Sequence, residues 1–373
     1  MQNALLFFTG LAALIVGASL LVRGASGVAL SFGISPLVVG LTIVAFGTSA
    51  PELGVSISAA LTGQSDLAVG NVVGSNIFNV LFILGISALI IPLEVNLQII
   101  RQEVPVMIFA SVLLLLMSLD GAIGKYEGAF LFVLLLVYTV VLVRQSRYQS
   151  INEVVYLVVE QKPAGPTAWD TKLPVQLALI GTGLIALVWG SESLVTTAVI
   201  FAQQLGVSDL VIGLTIVAAG TSMPELATSI TAAIKGERDI AVGNVIGSNT
   251  FNILGCIGAT GLISSEPGLL ISSAVLGFDI WVMLAVAVAC LPVFMIGREI
   301  SRWNGLVFLG YYGAYVVYLI LAGQQPGTLP EWRFAMLGLV MLITLATILS
   351  LLAFSLRCLH EKGWRIRAAH KKV

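Results

Sequence analysis

Long apolar runs separated by short polar turns recur along the whole chain. Eleven of them can be placed, at approximately 3–23, 35–60, 67–91, 103–119, 125–144, 173–197, 208–234, 240–263, 277–297, 303–322 and 333–357. A helix needs about 20 mostly apolar residues to cross a hydrocarbon layer roughly 30 Å thick, and these runs are of that order. Short alternating strands, the mark of a membrane barrel, are missing. The pattern therefore predicts an all-α polytopic membrane protein. The first run has no Lys or Arg ahead of it and exceeds the apolar length of a secretory leader, so it reads as an uncleaved first helix.

The pattern also repeats. Residues 34–81 align with 207–254 without a gap, at a fixed offset of 173, with 32 identities in 48 positions. Leu41 to Leu53 (LTIVAFGTSAPEL) matches Leu214 to Leu226 (LTIVAAGTSMPEL), and Gly70 to Asn79 (GNVVGSNIFN) matches Gly243 to Asn252 (GNVIGSNTFN). Farther out the match weakens, and a three-residue shift pairs Glu103 with Asp279. Each unit spans five helices, an odd number, so the second copy enters the membrane upside down relative to the first. Inverted repeats of this kind place a binding site at their interface near the midplane. The expected organisation is a first five-helix half at 1–144, a polar linker at 145–172 and a second half at 173–322. An extra C-terminal helix and basic tail at 323–373 have no partner in the repeat.

Composition agrees with the membrane reading. Hydrophobic residues make up 58% of 373 positions and charged residues 10%, with a mean hydropathy of +1.03. Soluble domains carry about 25% charged residues, so this chain lacks the polar surface to stay dissolved. With the N-terminus outside, sixteen Lys and Arg fall on the cytoplasmic side; only Lys125 and Arg333 fall outside. That bias is the positive-inside signature and supports the odd helix count. It places the 145–172 linker and the C-terminus in the cytoplasm of a cell whose plasma membrane is a bacterial or archaeal inner membrane. The net charge of −1 points to no partner, and the basic tail reads as an anchor on anionic lipid with no nucleic-acid role. Three Cys without paired spacing argue against a disulfide or zinc framework. Both His lie in the tail, at 360 and 370, which excludes a His-based metal site in the membrane.

Most of the nineteen acids sit in loops or at helix ends, but Glu52 and Glu225 lie well inside apolar runs. An ionised carboxylate there costs several kcal/mol unless it is paired, and no Lys or Arg of the repeat lies at a depth to pair with it. Two identical unpaired acids at equivalent positions imply a mobile cation as partner. Pro51 and Pro224 each remove a helix N–H and crowd the carbonyl four residues back, which predicts broken helices with freed oxygens at Gly47 and Gly220. Thr48 and Ser49 share a face with Glu52, as Thr221 and Ser222 do with Glu225. The following run adds a polar stripe of Asn71, Ser75 and Asn79, mirrored by Asn244, Ser248 and Asn252, beside Gly-x-x-x-Gly spacings that allow close helix contact. Two carboxylates with hydroxyls, amides and carbonyls form an all-oxygen shell, which suits calcium, with its six to eight oxygen ligands. Soft-metal ligands are absent. Sodium can use the same oxygens.

These two segment pairs resemble the alpha-repeats of the sodium/calcium exchanger branch of the calcium/cation antiporter superfamily. The resemblance is specific in the repeats and extends over residues 1–322. It implies a ten-helix core and calcium ligation by Glu52 and Glu225 with backbone oxygens of Thr48 and Thr221. It implies sodium sites using Ser49, Ser75, Ser222 and Ser248 with carbonyls near Ala45 and Ala218. Asn79 and Asn252 match the central amide or acid positions. Some relatives, potassium-dependent ones among them, carry Asp at the second; Asn252 stands against potassium dependence and proton binding at that spot.

The resulting expectation is a secondary active transporter, not an enzyme. It would exchange calcium for sodium by alternating access and serve calcium homeostasis. Its substrates are the two ions, it has no permanently bound cofactor, and one chain is the transport unit. Calcium/proton exchange on the same scaffold is the rival, but protons need none of the hydroxyl and amide ligands. An intramembrane protease would need Asp pairs in motifs such as GxGD, which the chain lacks. A channel fits inverted repeats with broken helices less well than alternating access does.

The orientation is testable directly. A Ser150→Cys variant in the linker should resist an impermeant thiol reagent in intact cells; ready labelling from outside would overturn the assignment.

Overall fold

The computed structural model describes residues 2–157, 172–204, 218–265 and 268–324, together with Gly338. Half of the predicted linker (158–171), the first part of the seventh run (208–217) and, apart from Gly338, the helix expected at 333–357 lie outside the described residues. Among the described residues, eight helices are long and apolar enough to span a membrane, or nine when a bent pair is taken as one span. The regular structure of the described residues is helical apart from four two-residue strands.

The first half contains α1 (Gln2–Phe32), the bent pair α2 (Pro36–Thr48) and α3 (Ala50–Leu61), α4 (Ser65–Ile90), α5 (Ile99–Met117) and α6 (Lys125–Leu157). The second contains α7 (Leu173–Gln204), the fragment α8 (Ala218–Gly220), α9 (Met223–Ile234), α10 (Arg238–Ile263), α11 (Val275–Met295) and α12 (Arg302–Gln324). Three helices outrun their predicted ends. α1 continues past residue 23 until Gly33, whose φ of 59° is a left-handed stop. α6 continues past residue 144 into the segment expected to be linker, because no Gly or Pro occurs between Gly128 and Pro163 to end it. α7 runs on to Gln204, two residues before Gly206.

α4 and α10 are the inner helices: most of the spanning stretch of α4 is buried, and all of that of α10. α1, α6 and α7 form the outside. Phe8, Ile15, Phe130, Val137, Val141, Ile185 and Trp189 are among their exposed apolar side chains, as expected where the solvent is hydrocarbon.

Away from the buried polar residues, the two halves are tied together in two ways. Outside, α1 and α7 pack along a glycine seam. Gly10, Gly17 and Gly24 are seven residues apart, as are Gly183 and Gly190 on the other helix. A Cβ at Gly17 would sit 2.8 Å from the Gly183 carbonyl, and one at Gly190 would sit 2.7 Å from the Gly10 carbonyl. Such small residues let backbones touch, which is how helices gain contact where lipid removes the hydrophobic drive. At the two ends, loops pair across the halves. β1 (Leu93–Glu94) runs antiparallel to β4 (Glu299–Ile300), and β2 (Ala122–Ile123) to β3 (Leu269–Leu270). Each pair joins the loop after the third helix of one half to the loop after the fourth helix of the other. Within each half, an equivalent bond joins the fourth and fifth helices: Tyr138 donates to Glu103 at 2.6 Å, and Tyr315 donates to Asp279 at 2.9 Å.

The seam predicts a contrast within one helix. Gly183→Ala would bring a Cβ to 2.7 Å from Leu21 N and must spread the pair, whereas Gly181→Ala meets nothing within 4 Å. Thermal unfolding in detergent should show a loss of about 1–3 kcal/mol for the first and none for the second.

Candidate functional site

Why the helix breaks where it does sets the geometry. Ser49 has φ −83° and ψ 6°, and Ser222 has φ −88° and ψ 10°, so neither continues the helix before it. Between α2 and α3 the axis bends by 43°. Pro51 and Pro224 fall in the first turn of the following helix, where a missing N–H leaves no bond unmade. They therefore start new helices rather than kinking old ones, and the break lies one to two residues ahead of each proline. The Gly220 oxygen, expected to be freed by Pro224, accepts the Ser191 hydroxyl at 2.6 Å. The Ala45 carbonyl accepts the Ser49 N–H at 3.0 Å, and Ala218 is the first described residue of α8.

Glu52 and Glu225 thus stand in the first turns of α3 and α9, each fully buried. Each carboxylate is held by the other half of the molecule. Ser222 donates to Glu52 Oε1 at 2.8 Å, and Ser49 donates to Glu225 Oε1 at 2.8 Å. Ser248 adds a longer contact to Glu225 Oε1 at 3.4 Å. The second oxygen of each carboxylate, Oε2, is buried with no hydrogen-bond partner. An ionised carboxylate with a bare buried oxygen is costly in a medium that can neither solvate nor pair it.

Around the acids the frame is symmetric. Thr48 donates to Asn244 Oδ1 at 3.1 Å and Thr221 to Asn71 Oδ1 at 3.3 Å. The same two asparagines donate back. Asn71 Nδ2 reaches the Glu52 carbonyl at 3.2 Å and Ser56 Oγ at 3.1 Å, while Asn244 Nδ2 reaches the Glu225 carbonyl at 3.4 Å and Ser229 Oγ at 3.0 Å. The threonine hydroxyls are therefore engaged by the frame. Ser75 is buried with its hydroxyl unpartnered. Asn79 and Asn252 open wide π-helical turns, Asn79–Leu84 and Asn252–Ile257, the class of local widening often found at functional sites.

Ten of the twelve residues singled out in the sequence lie buried in this cluster or its frame. The exceptions are Thr221, which is half-buried, and Ala218, whose side chain lies outside what the structure describes. Residues outside that set matter too. Asn76 and Asn249 bond to Asn252 and Asn79, and Ser56, Ser229 and Ser191 hold the frame. The signal for them was the repeat itself: Ser56, Asn76 and their mates at 229 and 249 are identical at the offset of 173. Ser191 has no such signal.

Comparison with known proteins places this arrangement. The family described as sodium/calcium exchanger protein matches residues 3–144 and 175–321. The chain is 32% identical over 358 residues to the sodium/calcium exchanger MaX1 of Methanosarcina acetivorans, covering 85% of this chain and 98% of that one. It is 42% identical over 206 residues to the inner membrane protein YrbG of Escherichia coli, covering 54% of this chain and 61% of that one. Among solved structures, the sodium-calcium exchanger NCX_Mj superposes with a TM-score of 0.69 at 28% identity, over 85% of this chain and 98% of that one.

The crossed serines make a prediction. Ser222→Ala leaves Glu52 Oε1 without its donor, and Ser49→Ala removes the closer of the two donors to Glu225. Each should lower the stability of the ion-free protein by about 1–3 kcal/mol, read by thermal unfolding in chelator. An unchanged melting temperature in both would show that the crossed bonds carry no weight.

Proposed function

The chain belongs to the sodium/calcium exchanger protein family, and from that premise we propose that it exchanges calcium for sodium by alternating access. It is an antiporter of the calcium/cation superfamily type; the finer assignment rests on its own residues. The observation that carries it is the pair of fully buried carboxylates, each with one bare oxygen, set among neutral oxygens from both halves. Charge balance supplies the mechanism. One calcium neutralises the two acids, and so do two sodium ions. Calcium and sodium therefore compete for one place. A third sodium would take neutral oxygens alone and make the exchange electrogenic.

In this reading Glu52 and Glu225 are the shared ligands, with main-chain oxygens of Thr48 and Thr221 completing the calcium shell. Ser49, Ser75, Ser222 and Ser248, with carbonyls near Ala45 and Ala218, serve sodium. Asn79 and Asn252 close the centre with neutral amides. We place the exchanger in a bacterial or archaeal inner membrane, N-terminus outside and C-terminus in the cytoplasm. Residues 1–144 and 173–322 are the two halves, and a single chain is the working unit.

Glu52→Gln and Glu225→Gln keep the shape and remove the charge, so each should abolish calcium transport and leave a folded protein. The ion-free form should even gain stability, on the order of 1 kcal/mol, because an uncompensated buried charge has gone. Calcium flux into proteoliposomes under a sodium gradient, with and without a collapsed pH gradient, measures the first point, and thermal unfolding in chelator measures the second. Normal flux in either variant would sink the ligand assignment. Flux that ignores sodium and follows pH alone would replace sodium by protons as the counter-ion.

A further inference from the structure

Four asparagines meet where α4 crosses α10, all buried. Asn76 Nδ2 donates to the main-chain carbonyl of Asn249 at 3.3 Å, and Asn249 Nδ2 donates to that of Asn76 at 3.3 Å. Each also points at a methionine sulfur, Met283 and Met107 respectively, at 3.6 Å. On the other side of each amide, Asn249 Oδ1 accepts from Asn79 Nδ2 at 3.0 Å, and Asn76 Oδ1 accepts from Asn252 Nδ2 at 3.2 Å. Asn79 Oδ1 is then left buried without a partner, and Asn252 Oδ1 receives only a long contact from Cys256 Sγ at 3.7 Å.

An amide has a donor end and an acceptor end that look alike in shape but are opposite in charge. Here the choice of end is not free. A main-chain carbonyl can only accept, so Asn76 and Asn249 must turn their NH2 groups toward it. Their oxygens then face Asn252 and Asn79, which must in turn present NH2. The oxygens of Asn79 and Asn252 are thereby forced to the far side. Two main-chain carbonyls fix the direction of four side-chain amides. The turn that begins at Asn79 packs against α9, which carries Glu225, and the turn that begins at Asn252 packs against α3, which carries Glu52.

We propose that Asn76 and Asn249 are positioning residues that lock the amides of Asn79 and Asn252 with oxygen, not NH2, toward the cation. This rests on the assignment of the ion site given above. Neither residue touches an ion; each acts through its neighbour. Without it, the neighbour's amide could turn and aim a positive dipole at a cation, at little cost in shape.

The test is a cycle at Asn249 and Asn79, read as calcium affinity of the purified full chain with calcium as the sole probe ion. Asn249→Ala should weaken calcium binding about tenfold, the effect of one misdirected hydrogen-bonding group. The loss should appear in the calcium KM and not in the rate at saturating calcium. Asn79→Asp should restore affinity in the Asn249→Ala background, since a carboxylate offers oxygen whichever way it turns. In the otherwise native chain the same change sets an acceptor against Asn249 Oδ1, and its effect should be smaller than in the Asn249→Ala background. Unchanged calcium affinity in Asn249→Ala, or effects of the two substitutions that simply multiply, would overturn the proposal. If Asn249→Ala does not fold, Asn249→Asp carries the test, because it keeps the acceptor facing Asn79. Native or tighter calcium binding then upholds the proposal and a tenfold loss overturns it. Glu52→Gln, run alongside, separates the two levels: if it too binds calcium normally, the ion site itself has been misplaced.

Discussion

Two carboxylates with no protein counter-charge, held where neither water nor lipid can solvate them, set the terms for the rest of this structure. Glu52 and Glu225 are fully buried, and no Lys or Arg occurs within the apolar stretches that surround them. Several kcal/mol of desolvation must be met by something, and the protein meets part of it with hydroxyls donated across the repeat. Ser49 serves Glu225 and Ser222 serves Glu52, so neither half completes its own site. The helices break at the same two serines. The seam and the paired loops then hold the halves in register.

Much of this was written in the sequence, and for an identifiable reason. Duplication at a fixed offset shows which polar residues were kept in both copies, and it marks Glu52, Ser49, Asn71 and Ser75 with their mates without any structure. Apolar run lengths give the helices. What the sequence hid are the features that depend on two distant segments meeting. That each serine caps the opposite acid cannot be read from one repeat, since within it Ser49 and Glu52 simply share a face. The proline reading placed the breaks but not their start. Ser49 and Ser222 leave helical geometry ahead of the prolines and turn Pro51 and Pro224 into helix starters. The π-helical turns at Asn79 and Asn252 change no composition and leave no periodic trace. Asn76 and Asn249 were visible as repeated residues, but only their amide directions give them a task.

The symmetry is incomplete, and where it fails is informative. Ser248 touches Glu225 while its mate Ser75 is unpartnered. Phe46 packs edge-on against Phe251 at 5.2 Å, but the residue equivalent to Phe46 is Ala219. On that side lies a cavity of about 480 Å³, lined by Phe78, Phe82, Met223 and Tyr312 among others.

Alternating access, in the reading proposed for this chain, asks that each half be able to adopt the packing now seen in the other. With 32 of 48 repeat positions identical, most contacts on the two sides are chemically interchangeable and contribute equally to both arrangements. The difference in free energy between them is then left to the positions that differ. Phe46 against Ala219, Ala50 against Met223 and Val55 against Thr228 all lie within six residues of a helix break. A phenyl ring that fills one groove and a methyl that leaves the other open bias the pair toward one state by packing alone, since a void forfeits contacts its lining could have made. The residues proposed to bind ions are matched between the halves, so they cannot supply that bias. On this argument the chemistry of selection is kept symmetric, and the preference for one face of the membrane is carried by apolar side chains beside the hinges.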